Sequence, residues 1–138
     1  MNIENYFLKQ DITVFYVLAD SFPDGVLAAH QKLHALIPYS DKRNYFGISN
    51  PDKTGTIIYR AAAEELSTNE ASTLTLETFV LKKGNYSSIV IKNYQKEITS
   101  IGKAFHILLS NINIDPQGCC VEWYLNDADV QCMVRLIN

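Results

Sequence analysis

The residue whose type and setting suggest chemistry is Glu122, in the run Cys119-Cys120-Val121-Glu122-Trp123-Tyr124-Leu125. A carboxylate inside an otherwise apolar, strand-like run is unusual, because an ionised group is costly to bury unless something compensates it. Period-two alternation puts Cys120, Glu122 and Tyr124 on one strand face and Val121, Trp123 and Leu125 on the other. The second set reads as a core face. The first offers a negative charge beside an aromatic ring, a combination suited to a cationic ligand. Two competing readings are a solvated outer face and a structural pair with Arg135 on the neighbouring strand. A one-residue slip in register would exchange the two faces.

Tyrosines are the second candidate set. The chain has eight, and Tyr16, Tyr45, Tyr59, Tyr86 and Tyr124 fall inside predicted strands. Each is ordinarily a core or edge residue with its hydroxyl in water, but pockets are also lined by aromatics with a few placed polar groups. Other signals are weaker. His30 and His34 share a helix face at a spacing that can ligate zinc, but Gln31 stands where a metalloprotease has its glutamate, and His106 belongs to another helix. A metal site needs three or four ligands, so none is expected, and no cofactor is. No glycine-rich phosphate loop or Gly-x-Ser-x-Gly elbow occurs. Cys119, Cys120 and Cys132 are an odd set with two adjacent, a poor disulfide framework, and read as half-buried thiols.

The elements that would position these residues follow from pattern. Strands are predicted over residues 12–18, 43–49 and 56–62, with a helix from Val26 to Ile37 that Ser21 or Asp24 would cap and Pro38 would stop. A polar stretch, 64–72, separates this half from the next. Strands follow over 75–82 and 86–93, joined by a Lys83-Gly84-Asn85 hairpin signal. A helix runs over 98–109, and strands over 119–125 and 130–137. The order strand, helix, strand, strand therefore occurs twice, over about 12–63 and 75–138. Thr13 and Ser88 are 75 positions apart, as are Tyr45 and Cys120, while Ile57 and Gln131 are 74 apart. This predicts one α+β domain over residues 1–138. Duplicated strand-helix-strand-strand units would form a curved antiparallel sheet with two helices on one face, and a small-molecule cleft would lie at the seam. Gly47 takes the place of Glu122 in the first half, and a strand glycine leaves room for close approach by another group.

Bulk properties fit that picture. At 138 residues the chain has the size of one domain and can bury a real core without staples. With a net charge of −3 it lacks the excess of basic residues that a nucleic-acid partner demands, so no direct nucleic-acid binding is expected. No apolar run suits a membrane helix and no signal core opens the chain, so a cytoplasmic protein without a membrane partner is expected.

Three segments together resemble a known family: Tyr45-Phe46-Gly47-Ile48 with Thr56-Ile57-Ile58-Tyr59-Arg60-Ala61, Lys83-Gly84-Asn85-Tyr86, and Cys120-Val121-Glu122-Trp123-Tyr124-Leu125-Asn126-Asp127. They are similar to the GyrI-like effector-binding domains, the ligand-binding halves of many bacterial transcription activators and of the gyrase-inhibitory protein. The last segment is similar to that family's Glu-x-Tyr-Leu-x-Asp strand and turn. The resemblance implies a cleft in which Glu122 meets lipophilic cations, Tyr124 is the matching aromatic and Tyr59 its partner from the other half. Tyr16, Tyr45 and Gly47 complete the candidate ligand-binding set. The activators carry a helix-turn-helix ahead of this domain, whereas only eleven residues precede the first predicted strand here, so a stand-alone sensor, carrier or sequestering domain is implied. Two alternatives remain open: a hydrolase of reactive electrophiles using Glu122, since some members of the family resemble such enzymes, and a gyrase-inhibitor-like module that binds a protein partner.

Overall fold

The β-branched and aromatic runs form eight strands, and three α-helices interrupt them, in a computed structural model that describes residues 1–138. In chain order these are β1 (Glu4–Leu8), β2 (Ile12–Leu18), α1 (Val26–Leu36), β3 (Tyr45–Pro51), β4 (Ile57–Glu64) and α2 (Glu70–Leu74). Then come β5 (Glu77–Leu81), β6 (Gly84–Ile91), α3 (Ser100–Leu108), β7 (Cys120–Tyr124) and β8 (Val130–Arg135). The strand pairings within each unit are antiparallel, and the fold is α+β, as the sequence predicts. The chain divides into two compact units, Asp11–Leu81 and Met1–Gln10 with Lys82–Asn138.

In the unit Asp11–Leu81 the strand order is β3-β4-β2-β5. Register places Phe15 opposite Ala63 and Val17 opposite Ala61, and Gly47 lies opposite Ala61 on the other side of β4. This face meets α1, whose Ala29 and Leu33 are buried against β2 and β4. The small side chains of Ala61 and Ala63, both fully buried, leave space for the helix to lie close. Neither Ser21 nor Asp24 caps α1. Gly25 takes the cap position and has no side chain to offer; its N–H bonds the Ser21 carbonyl at 3.1 Å in the preceding turn. The helix ends where Ile37 turns extended ahead of Pro38.

The unit Met1–Gln10 with Lys82–Asn138 has the order β1-β6-β8-β7. Here α3 buries Ala104 and Leu108 against Ile89, Val130, Cys132 and Val134. Period-3.6 spacing of Ile101, Ala104, Phe105 and Leu108 makes the apolar stripe that does this.

Three elements depart from the sequence expectation. Glu4–Leu8 is a strand, although the first predicted strand begins only at Ile12; it pairs with β6, with Tyr6 opposite Tyr86. The polar stretch 64–72 runs into the short helix α2, anchored by Glu70, which binds Arg43 through two oxygens at 3.2 and 2.8 Å. The Lys83-Gly84-Asn85 signal is not a hairpin: β5 pairs with β2, whereas β6 pairs with β1 and β8. Gly84 has φ +135°, a conformation that favours glycine, and the Arg135 guanidinium packs where a Cβ would stand. Each half thus repeats the order strand, strand, helix, strand, strand. The leading strand of one half (β1) pairs with the second strand of the other (β6), and β5 pairs likewise with β2.

Candidate functional site

Glu122 sits at the centre of β7, opposite Cys132 of β8. It shares its face with Cys120 and Tyr124, which pack against the α3 core, so this is the helix-bearing face of the unit rather than an open outer one. The other face is buried as well, with Val121 at 1% and Met133 at 0% exposure. Glu122 itself is half-buried. The hydroxyl of Tyr124 donates to its Oε1 at 2.5 Å. A charge-assisted bond of this kind fixes the direction of the carboxylate. The ring of Tyr94 stands 6.0 Å from that of Tyr124, tilted by 47°. Arg135 is not the partner of Glu122: its guanidinium pairs with Asp115 at 2.9 Å and bonds the Lys83 carbonyl.

The thiols around the carboxylate stay protonated. Burial, then Cys119, then Glu122 push the Cys120 thiol up to about 11. Burial, then Glu122, then Cys120 push Cys132 up to about 12. The three side chains around the centre of this face are therefore two neutral thiols and one acid. Such an arrangement can hold a cation against an aromatic ring, or orient a water molecule for attack.

Tyr45, Gly47 and Tyr59 share the face of their sheet that meets α1, as strand alternation and register require. Tyr59 is 1% exposed, shares a hydrogen bond of 2.8 Å with His30 Nε2, and stacks on Phe22 with ring centroids 5.9 Å apart. Burial, assisted by the charge of His34, lowers His30 to a pKa of about 4, so it is neutral at physiological pH. Tyr45 stacks on Tyr39 at 5.4 Å, contacts the His34 ring at 5.1 Å, and its hydroxyl accepts the Ser40 N–H. Each histidine of the i, i+4 pair thus serves a different tyrosine, and no group of three or more His, Cys, Asp or Glu side chains gathers at metal-binding distance. Phe22 also lines an open groove of about 550 Å³ with Leu18, Thr56 and Ile57.

Tyr16 does not join Tyr45 and Tyr59. It lies on the opposite face of the same sheet, where its hydroxyl donates to Glu77 and its ring carries the guanidinium of Arg60. Sequence reasoning missed Phe22 and Tyr94, which sit outside the strands in turn and 3₁₀ segments where alternation gives no signal. His30 enters the sequence pattern as a helix-spaced residue and as a metal candidate; its tyrosine contact comes from the α1–β4 packing.

No family model matches the chain, and no curated protein matches its sequence. Similarity in three dimensions is extensive. SAV2435, in a structure bound to tetraphenylphosphonium, aligns with TM-score 0.66 and 12% identity over 99% of this chain and 94% of that one. An integron cassette protein from the mobile metagenome of Vibrio cholerae aligns with TM-score 0.64 and 10% identity, over 98% and 94%. A hydrolase from Listeria innocua aligns with TM-score 0.61 and 11% identity, over 98% and 91%. At these identities the likeness establishes a common fold and nothing finer.

Proposed function

We propose that this domain binds small lipophilic cations in the manner of GyrI-like effector-binding domains, with Glu122 as the charge anchor and Tyr124 and Tyr94 as ring surface. The observation that carries this reading is the half-buried Glu122 carboxylate, aimed by the Tyr124 hydroxyl and flanked by protonated thiols. A negative charge kept partly out of water is poorly compensated by solvent, and an apolar cation that brings little hydration of its own can compensate it. The structural likeness to SAV2435 with its bound tetraphenylphosphonium supports the same ligand class. The test is calorimetric titration of tetraphenylphosphonium into the protein and into Glu122→Gln. Saturable binding that falls at least about tenfold in the variant is expected, the loss of one charge-assisted contact.

A second reading rests on the same pair of side chains. A carboxylate bonded to a phenol can take a proton from water while the phenol supports the developing charge, which is how Glu122 would act as the general base of a hydrolase. The likeness to a Listeria innocua hydrolase favours testing it. Turnover of an epoxide by the protein, lost in Glu122→Gln, is the outcome this reading expects. Equal turnover by the variant would remove it.

A further inference from the structure

Arg60 stands in the middle of β4, half-buried, on the sheet face opposite α1. Its guanidinium carbon lies 5.2 Å from the ring centroid of Tyr16 and 4.8 Å from that of Phe79. Nη1 donates to Asn50 Oδ1 at 2.7 Å, the one hydrogen bond this side chain makes, and Nε is buried with no acceptor. None of the ion pairs of the structure includes Arg60.

A guanidinium carries five N–H donors and a permanent charge, and a partly buried one is ordinarily matched by a carboxylate. The two rings offset part of the lost hydration through their π faces. They do nothing for the in-plane donors, which are the geometry that recognises a planar oxyanion. An acid does stand beside the same Tyr16 side chain. Glu77 is opposite Tyr16 in the β2–β5 register, yet its Oε2 accepts the Tyr16 hydroxyl at 2.9 Å and forms no ion pair with Arg60. Tyr16 therefore both supports the guanidinium with its ring and keeps the neighbouring carboxylate occupied with its hydroxyl.

We infer that Arg60 is the anchor of an oxyanion site, in which the carboxylate or phosphate of a small molecule meets the Nη1/Nη2 end of the guanidinium beside the Tyr16 and Phe79 rings. Its charge preference is opposite to that of Glu122, and it does not rest on the cation reading. It also gives Tyr16 a role on its own face of the sheet.

The test is a titration of the full chain with sodium benzoate and, separately, with inorganic phosphate, at constant ionic strength, followed by the side-chain Nε–Hε resonance of Arg60 in ¹H–¹⁵N NMR. A saturable shift is expected with at least one anion. Saturation by benzoate alone assigns a carboxylate ligand, and saturation by phosphate alone assigns a phosphate. Backbone resonances of β4 report binding in the variants. Arg60→Gln weakens it by about tenfold or more, the loss of one charge-assisted contact. Tyr16→Phe releases Glu77 to neutralise Arg60 and weakens binding several-fold, and the double variant Tyr16→Phe/Glu77→Gln restores it. That restoration is a readout a merely structural arginine would not give, and it decides the matter if Arg60→Gln fails to fold. No saturable response of the native chain to either anion overturns the inference, as does equal binding in Arg60→Gln or a double variant as weak as Tyr16→Phe.

Discussion

Tyr124 and Glu122 stand two positions apart on one face of β7, and the tyrosine hydroxyl donates to the carboxylate at 2.5 Å. The ring and the charge are thereby one unit, so substitutions should separate their contributions in order. Tyr124→Phe keeps the ring and removes the donor, leaving the carboxylate free to rotate; cation affinity should fall a few-fold. Glu122→Gln removes the charge and should cost more. Titration of both variants with the same cation checks the ranking, and a Tyr124→Phe loss as large as that of Glu122→Gln would contradict it.

His30 should make the protein sensitive to mild acid. Its folded pKa of about 4 lies below the ordinary value of 6.5, so between these limits the unfolded chain binds a proton that the folded one does not. Stability is fully present above about pH 6.5 and declines as pH falls toward 4, by up to ~3 kcal/mol. Melting curves of the protein and His30→Gln across this window should show a steeper pH slope for the native chain.

Much of this arrangement was legible in the sequence, and the failures have physical causes. The alternation of residues 119–125 placed Glu122 and Tyr124 on one face correctly, because parity within a strand needs no knowledge of its neighbours. Parity between strands does need it. Tyr16, Tyr45 and Tyr59 look equivalent in sequence, but the β2–β4 and β3–β4 registers put Tyr16 on the opposite face from the other two. The strand Glu4–Leu8 is not evident in the sequence because it is a short edge strand, held by hydrogen bonds to β6 and mostly exposed, so no buried face imposes an alternation. The hairpin expectation at Lys83-Gly84-Asn85 failed for a related reason. A glycine at positive φ marks a reversal or a sharp link equally well, and only the pairing of β5 with β2 and of β6 with β1 and β8 distinguishes them. Helix α2 lies in a polar stretch with no apolar period, and the Arg43–Glu70 pair that anchors it spans 27 positions.

That pair should carry stability. The side chain of Arg43 is only 10% exposed, and Glu70 also accepts the Leu66 and Ser67 N–H groups. Glu70→Ala would leave a nearly buried guanidinium with the Glu64 carbonyl as its hydrogen-bond acceptor and the Phe15 ring beside it, at a cost of about 2 kcal/mol. Chemical denaturation of the variant checks this, and an unchanged midpoint would contradict it.

Gly84 should resist substitution. At φ +135° an alanine is strained, and its Cβ would stand 2.9 Å from Arg135 Nη2, displacing a side chain that binds Asp115 and the Lys83 carbonyl. Gly84→Ala should destabilise by about 1–3 kcal/mol. Thermal melting beside Gly55→Ala, whose added methyl would meet no neighbour and whose cost is the backbone alone, separates strain from steric conflict.

The proposed cation binding depends on Glu122 as its charge anchor. The most direct measurement is calorimetric titration of the phosphonium probe into the native protein and Glu122→Gln, with folding of the variant verified by circular dichroism. Saturable binding by the native protein and at least about a tenfold loss in the variant is the predicted result. Equal affinity in the two proteins, or no binding by the native one, would contradict it.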